Sequence, residues 1–137
     1  VQKALDYARR ETAQGEKMLL SLALSYGGRV EIVDAVKKAI QAVQEHQLTT
    51  DEINPDRFSK FLDTAEMPDP DLLIRTSDEK RISNFLLWQI SYTELYFSDV
   101  FWPDFTVEEF HKAIDDYQGR ERRFGGTAVS PEIKGER

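Results

Sequence analysis

Cysteine is absent from the 137-residue chain. Its absence excludes a disulfide framework, a thiolate metal site and a cysteine nucleophile, and is neutral about compartment. Long apolar runs are lacking too, since none approaches the roughly 20 residues that span a bilayer. Positive charge is in deficit, with 18 Lys and Arg against 25 Asp and Glu and a formal net charge of −7. An acidic chain is a poor generic binder of DNA or RNA, although a local basic patch can still hold a phosphate. There is no start methionine and no secretory pattern, because Val1-Gln2-Lys3 leads straight into an amphipathic segment. The expectation from these absences is a soluble, reducing-compatible globular chain that continues upstream.

What is present suffices for a core: 40% of the residues are apolar and 31% charged, a balance unlike that of disordered chains. Residues 1–14 carry Ala4, Leu5, Ala8 and Thr12 at helical spacing, with Gly15 as a stop. Residues 18–26 are an almost unbroken apolar run closed by Gly27-Gly28, which predicts a strand buried on both faces of a parallel sheet. A helix follows, with Ile32, Val36, Ala39, Ile40 and Val43 expected to face inward and Lys37, Lys38, Gln41 and Glu45 outward. Thr49 with Glu52 reads as a capping box, and Asn54-Pro55 as the entry to a short helix through Leu62. Pro68 and Pro70 force an extended approach to a second strand at Leu72-Leu73-Ile74. The pattern then predicts a helix over residues 85–92 and a third strand over 94–97. Thr106 and Glu109 open a last helix with Val107, Phe110, Ile114 and Tyr117 on one face. Residues 120–137 read as a polar, flexible tail.

Strands alternating with helices define an α/β chain: a central, mostly parallel sheet flanked by helices, with ligands expected at the carboxyl ends of the strands. Three strands are few for such a sheet, so N-terminal strands are expected to be missing. The densest polar loop, residues 75–84, follows the second strand. Arg75, Arg81 and Ser83 offer guanidinium forks and a hydroxyl suited to a phosphate or diphosphate. The alternative is a surface loop whose arginines pair with Asp71, Asp78 and Glu79. Glu94 opens a buried strand, where a carboxylate needs a cation or a metal; an arginine partner serves as well. Gly27-Gly28-Arg29 is either an anion-binding helix entry or a tight turn that lets the helix pack closely. His46 and His111 stand 65 positions apart with no acid or hydroxyl motif beside them and read as surface or packing residues. The aromatic-rich stretch from Phe85 to Phe105 is core or an interface.

The run from Pro68 to Ser77, continued by Arg81-Ile82-Ser83-Asn84-Phe85-Leu86-Leu87-Trp88-Gln89 and Tyr92-Thr93-Glu94-Leu95-Tyr96-Phe97, closely resembles the cis-prenyltransferases. Ser25-Tyr26-Gly27-Gly28-Arg29-Val30-Glu31-Ile32 and Arg122-Arg123-Phe124-Gly125-Gly126 resemble two further motifs of that family, in the right order. Undecaprenyl diphosphate synthase is its type member. The resemblance implies repeated condensation of isopentenyl diphosphate onto an allylic diphosphate such as farnesyl diphosphate, with Mg2+, in a homodimer. It assigns Arg75, Arg81, Ile82 and Ser83 to isopentenyl diphosphate and Glu94 to Mg2+. Arg123 and Gly125 match an arm that reaches the active site across the dimer interface. It further implies a cytoplasmic enzyme, peripheral at the membrane because its product is a lipid.

Two departures matter. Nothing in residues 1–28 matches the family's Asp-Gly-Asn-Gly-Arg-type loop, so the chain reads as the C-terminal part of such an enzyme, with no catalytic Asp of its own and inactive alone. Asp78 stands where the family usually has Gly, which adds a side chain and a repelling charge beside the loop. Both departures keep a second reading in view, a non-catalytic partner subunit or remnant homologue. A generic phosphate-binding module is the third.

Overall fold

The computed structural model describes residues 2–121. Its helices are α1 (Gln2–Thr12), α2 (Gly28–Gln44), α3 (Pro55–Ser59) and α4 (Val107–Gln118), and its strands are β1 (Leu72–Arg75) and β2 (Glu94–Phe97). The order is α1-α2-α3-β1-β2-α4. The two strands pair in parallel, with Leu72 opposite Glu94 and Arg75 opposite Phe97. The proline-bracketed approach yields β1 as expected. A side-chain cap at Asn54 accepts from the Arg57 amide at 2.9 Å, but α3 ends at Ser59, short of Leu62. The Thr49–Glu52 capping box forms on a single 3-10 turn.

Three expectations are corrected. Residues 18–26 form no strand and bend at Ser25, whose φ is 55°, because a strand exists only through hydrogen bonds to a neighbour and no described strand lies alongside. Residues 85–92 are a succession of turns rather than a helix: Ser83, Asn84 and Leu86 have φ of 53°, 64° and 46°, which breaks a right-handed helix at its start. On α2 the inward face is rotated. Gly28, Glu31, Ala35, Ala39 and Ala42 are buried, whereas Val36 and Ile40 are 43% and 52% exposed. Small residues at spacings of three and four allow close approach, and that contact outweighs the larger apolar stripe.

What α2 approaches is the 84–89 segment. The Gly28 amide donates to the Asn84 carbonyl at 2.8 Å, and the Arg29 amide to Asn84 Oδ1 at 2.9 Å. The Val30 and Glu31 amides both bond the Gly27 carbonyl. All four amides at this helix start are thereby satisfied, as a helix start requires. The turn-packing reading of Gly27-Gly28 holds over the anion site. A Cβ on Gly28 would lie 3.0 Å from Leu87 Cγ and 3.1 Å from the Leu87 amide nitrogen.

Behind this contact lies a buried carboxylate. Glu31, 4% exposed, accepts from the Asp63 amide at 3.0 Å and from Gln89 Nε2 at 3.0 and 3.1 Å. The Tyr26 hydroxyl donates to its other oxygen, and Gln89 Nε2 also meets Thr64 Oγ1 at 2.8 Å. Gln89 Oε1 is buried without a partner. Apolar burial around the network is modest: Ala35, Ala39, Ala42, Leu62, Ile90 and Ala113 are the buried hydrophobic residues among those described. Trp88 adds an indole hydrogen bond to Ser59 Oγ at 3.0 Å and packs on Phe58 with centroids 4.7 Å apart.

Gly28→Ala should destabilise the chain by ~1–3 kcal/mol through overpacking against backbone, read as a lower denaturation midpoint. Burial first, and the Glu31 hydrogen bond second, raise the Tyr26 hydroxyl above its ordinary value of about 10. A raised folded pKa means that this stabilisation is complete below pH 10 and is lost as pH rises beyond it. The fall in urea midpoint above pH 10 should be steeper for the wild type than for Tyr26→Phe.

Candidate functional site

Arg75 closes β1 at its carboxyl end, and the polar loop begins there. The Ser77 and Asp78 amides bond the Val100 and Ser98 carbonyls at 2.9 and 3.0 Å, so the loop is folded back over the end of β2. Ser77 and Asp78 have φ of 74° and 51°. Position 78 therefore occupies the left-handed region that favours glycine, and Asp is among the few side chains that tolerate it. Its carboxylate is exposed.

Two of the arginines come together on one carboxylate. Arg75 Nη2 pairs with Glu79 Oε2, and Arg81 Nη2 with Glu79 Oε1. Arg81 Nε donates to Ser83 Oγ at 3.2 Å. The sequence-predicted trio of Arg75, Arg81 and Ser83 is thus one connected cluster, and Glu79 is the piece that joins it. Glu79 had stood only as an alternative partner for the arginines; here it serves both. Ile82, assigned to the same group, is half-buried.

Glu94 does not join this cluster. It lies opposite Leu72 in the register, three residues or about 10 Å along the sheet from the level of Arg75, and on the other face of the pleat. Its Oε2 accepts from Arg120 Nη1 at 2.8 Å, and Arg120 Nη2 pairs with Asp116 Oδ2 at 2.5 Å. The Glu94 hydrogen bond raises the Arg120 guanidinium above its ordinary value. Among the described residues no group of three His, Cys, Asp or Glu side chains is placed to hold a metal ion. Arg123 and Gly125 lie outside the described residues.

Asn84 is the residue that ties this loop to the rest of the fold, a role the sequence did not disclose: it directly follows Ser83 and accepts from the first two amides of α2. Its partner is 55 positions away, and only the left-handed backbone around it would have marked it.

Parallel strands with an arginine-rich loop folded over their carboxyl edge place the chain among α/β proteins that receive ligands at the strand ends. The chain belongs to the prenyltransferase family: the family model described as "Putative undecaprenyl diphosphate synthase" matches residues 1–125. An isoprenyl transferase of Clostridium perfringens is 52% identical over 124 residues, covering 90% of this chain and 49% of that protein. A farnesyl-diphosphate-specific ditrans,polycis-undecaprenyl-diphosphate synthase of Legionella pneumophila is 50% identical over 130 residues, 95% of this chain and 55% of the other. The solved lavandulyl diphosphate synthase of Lavandula x intermedia, in complex with dimethylallyl diphosphate, superposes with a TM-score of 0.85 at 40% identity, over 90% of this chain and 53% of that one. The chain spans about half the length of the curated relatives it matches.

The Arg75 hydrogen bond, together with the charge of Arg81, lowers the Glu79 carboxyl below its ordinary value. A depressed folded pKa keeps the pairing intact above the ordinary value of 4.5 and releases it only as pH falls well below that. An NMR titration of the Glu79 side chain should show it ionised at pH 4.5, with the midpoint rising in Arg75→Ala.

Proposed function

We propose that this chain supplies the isopentenyl-diphosphate-binding part of a cis-prenyltransferase, which condenses that diphosphate onto an allylic diphosphate such as farnesyl diphosphate to lengthen a polyprenyl chain. The observation that carries this is the pair of guanidinium groups, Arg75 and Arg81, gathered on the single carboxylate of Glu79, with the Ser83 hydroxyl on the second arginine. Planar forks at fixed spacing match the oxygens of a diphosphate. Glu79 holds the forks in place without ligand, and a diphosphate brings more negative charge than the carboxylate it meets. Supporting the substrate class are the names of the relatives and the dimethylallyl diphosphate in the lavandulyl synthase complex.

Mg2+ enters only as the cation of the assembled enzyme, to which Glu94 would be this chain's contribution once released from Arg120. Neutralising a diphosphate leaving group is the chemistry such an ion supplies. The same proposal places the enzyme in the cytoplasm at the membrane periphery, as a homodimer whose Arg123 and Gly125 arm reaches a neighbouring site. A partner subunit without catalysis is the second reading, favoured by one observation, the exposed carboxylate of Asp78 at a left-handed position beside the arginine cluster.

Calorimetric titration of the chain with isopentenyl diphosphate tests the binding role. Arg75→Ala and Arg81→Ala should each weaken affinity about 10–100-fold, the loss of one charge-assisted hydrogen bond. Asp78→Gly should strengthen it several-fold. Unchanged affinity in both arginine variants would overturn the proposal.

A further inference from the structure

Five of the seven non-glycine residues with positive φ among those described lie between Ser77 and Leu86, in the arginine loop and just beyond it. Left-handed backbone is costly for most residues and persists only where the surroundings over-determine it. Near the start of the loop the surroundings are backbone alone: the Ser77 and Asp78 amides bond the Val100 and Ser98 carbonyls at 2.9 and 3.0 Å. At the far end, where Ser83 and Asn84 have φ of 53° and 64°, a side chain takes part. Asn84 Oδ1 accepts from the Arg29 amide at 2.9 Å, and the Asn84 carbonyl accepts from the Gly28 amide at 2.8 Å. Gly27 shows how closely that side chain is fitted. Its φ of −158° and ψ of 121° are extended backbone, so its own conformation does not call for glycine. A Cβ there would nevertheless lie 2.8 Å from Asn84 Nδ2 and 3.9 Å from Asn84 Cγ. Position 27 is bare where the Asn84 amide lies.

The neighbour that this arrangement fixes is Ser83. Its Oγ accepts from Arg81 Nε at 3.2 Å, and among the described residues its own hydrogen has no acceptor. A hydroxyl that accepts from a guanidinium is polarised as a donor, and an anion held by that same guanidinium is a fitting acceptor. We infer that Asn84 is a positioning residue for the diphosphate: by bonding the first turn of α2 it holds Ser83 in the left-handed conformation from which the hydroxyl accepts from Arg81 and donates to a diphosphate oxygen. The role rests on the diphosphate-binding reading above and adds to it a residue that touches no ligand. Gly27 and Gly28 then belong to the support of the site, Gly28 by its amide and Gly27 by the space it leaves.

Two measurements on the chain test this. Without ligand, the Arg81 Nε–H signal in a heteronuclear NMR spectrum reports the bond to Ser83. Ser83→Ala marks the position of that signal when the bond is lost, and Asn84→Ala and Gly27→Ala should both move it most of the way there. In calorimetric titration with isopentenyl diphosphate, Ser83→Ala and Asn84→Ala should each lower affinity about 10-fold, the loss of one hydrogen bond. The double variant Ser83→Ala/Asn84→Ala should lose no more than either single one, because the two residues then act through the same bond. A merely structural role for Asn84 would multiply its own loss onto that of Ser83→Ala. Gly27→Ala carries both measurements should Asn84→Ala fail to fold, since it leaves the sequence of the loop intact. An Arg81 signal that stays in place in the folded variants, or losses that multiply in the double variant, would overturn the inference while the diphosphate reading stands. A wild-type chain that binds no isopentenyl diphosphate would overturn that reading and this role with it.

Discussion

Everything around the candidate site hangs on one buried carboxylate. Glu31 projects from the first turn of α2 and collects donors from three separate stretches of chain: Tyr26 just before the helix, Asp63 after α3, and Gln89 in the segment that leads to β2. A buried carboxylate is tolerable only when its oxygens are satisfied, so folding must bring all three partners to it together. The neighbouring contacts follow from that arrangement. With Gln89 fixed, Trp88 reaches Ser59 and Phe58, Phe85 meets the Tyr26 ring edge-on at 5.7 Å, and Asn84 meets the start of α2. Among the described residues the buried hydrophobic ones are mostly alanines, and directional polar bonds carry much of the specificity that a larger apolar core would otherwise give.

The elements legible in the sequence are those set by local rules. Paired prolines announce β1, a capping threonine announces α4, and Asn54-Pro55 announces α3. Features that depend on a distant partner were not legible. The leucine-rich segment before Gly27 satisfies every local requirement of a strand and lacks only a neighbour. The turns at 85–92 replace a helix because Asn84 and Gln89 are drawn to α2, which an amphipathic count over that window cannot register. The rotation of α2 has the same origin: periodicity identifies a helix and an apolar stripe, but the face that goes inward is the one that carries Gly28, set against Leu87, with Ala35, Ala39 and Ala42 behind it.

At the site, the sequence named the cationic groups and the structure supplied their grouping. Arg75 and Arg81 were recognisable as donors, and both a ligand and an internal acid were admissible partners. Glu79 shows that these are compatible, because an acid that bridges two guanidinium groups also fixes their separation. Glu94 illustrates the opposite case. A carboxylate at a strand start looked suited to a cation, and it has one, Arg120, on the face of the sheet away from the loop.

Asn84 joins two parts that would otherwise be separate. It is the residue after Ser83, and its side chain and carbonyl grip the first two amides of α2. A 17-residue helix is a rod of about 25 Å. Its first turn is thereby tied to the arginine-bearing loop, while Ala35, Ala39 and Ala42 stay buried along the same rod. One residue thus sets the angle at which the loop and the helix leave their common junction.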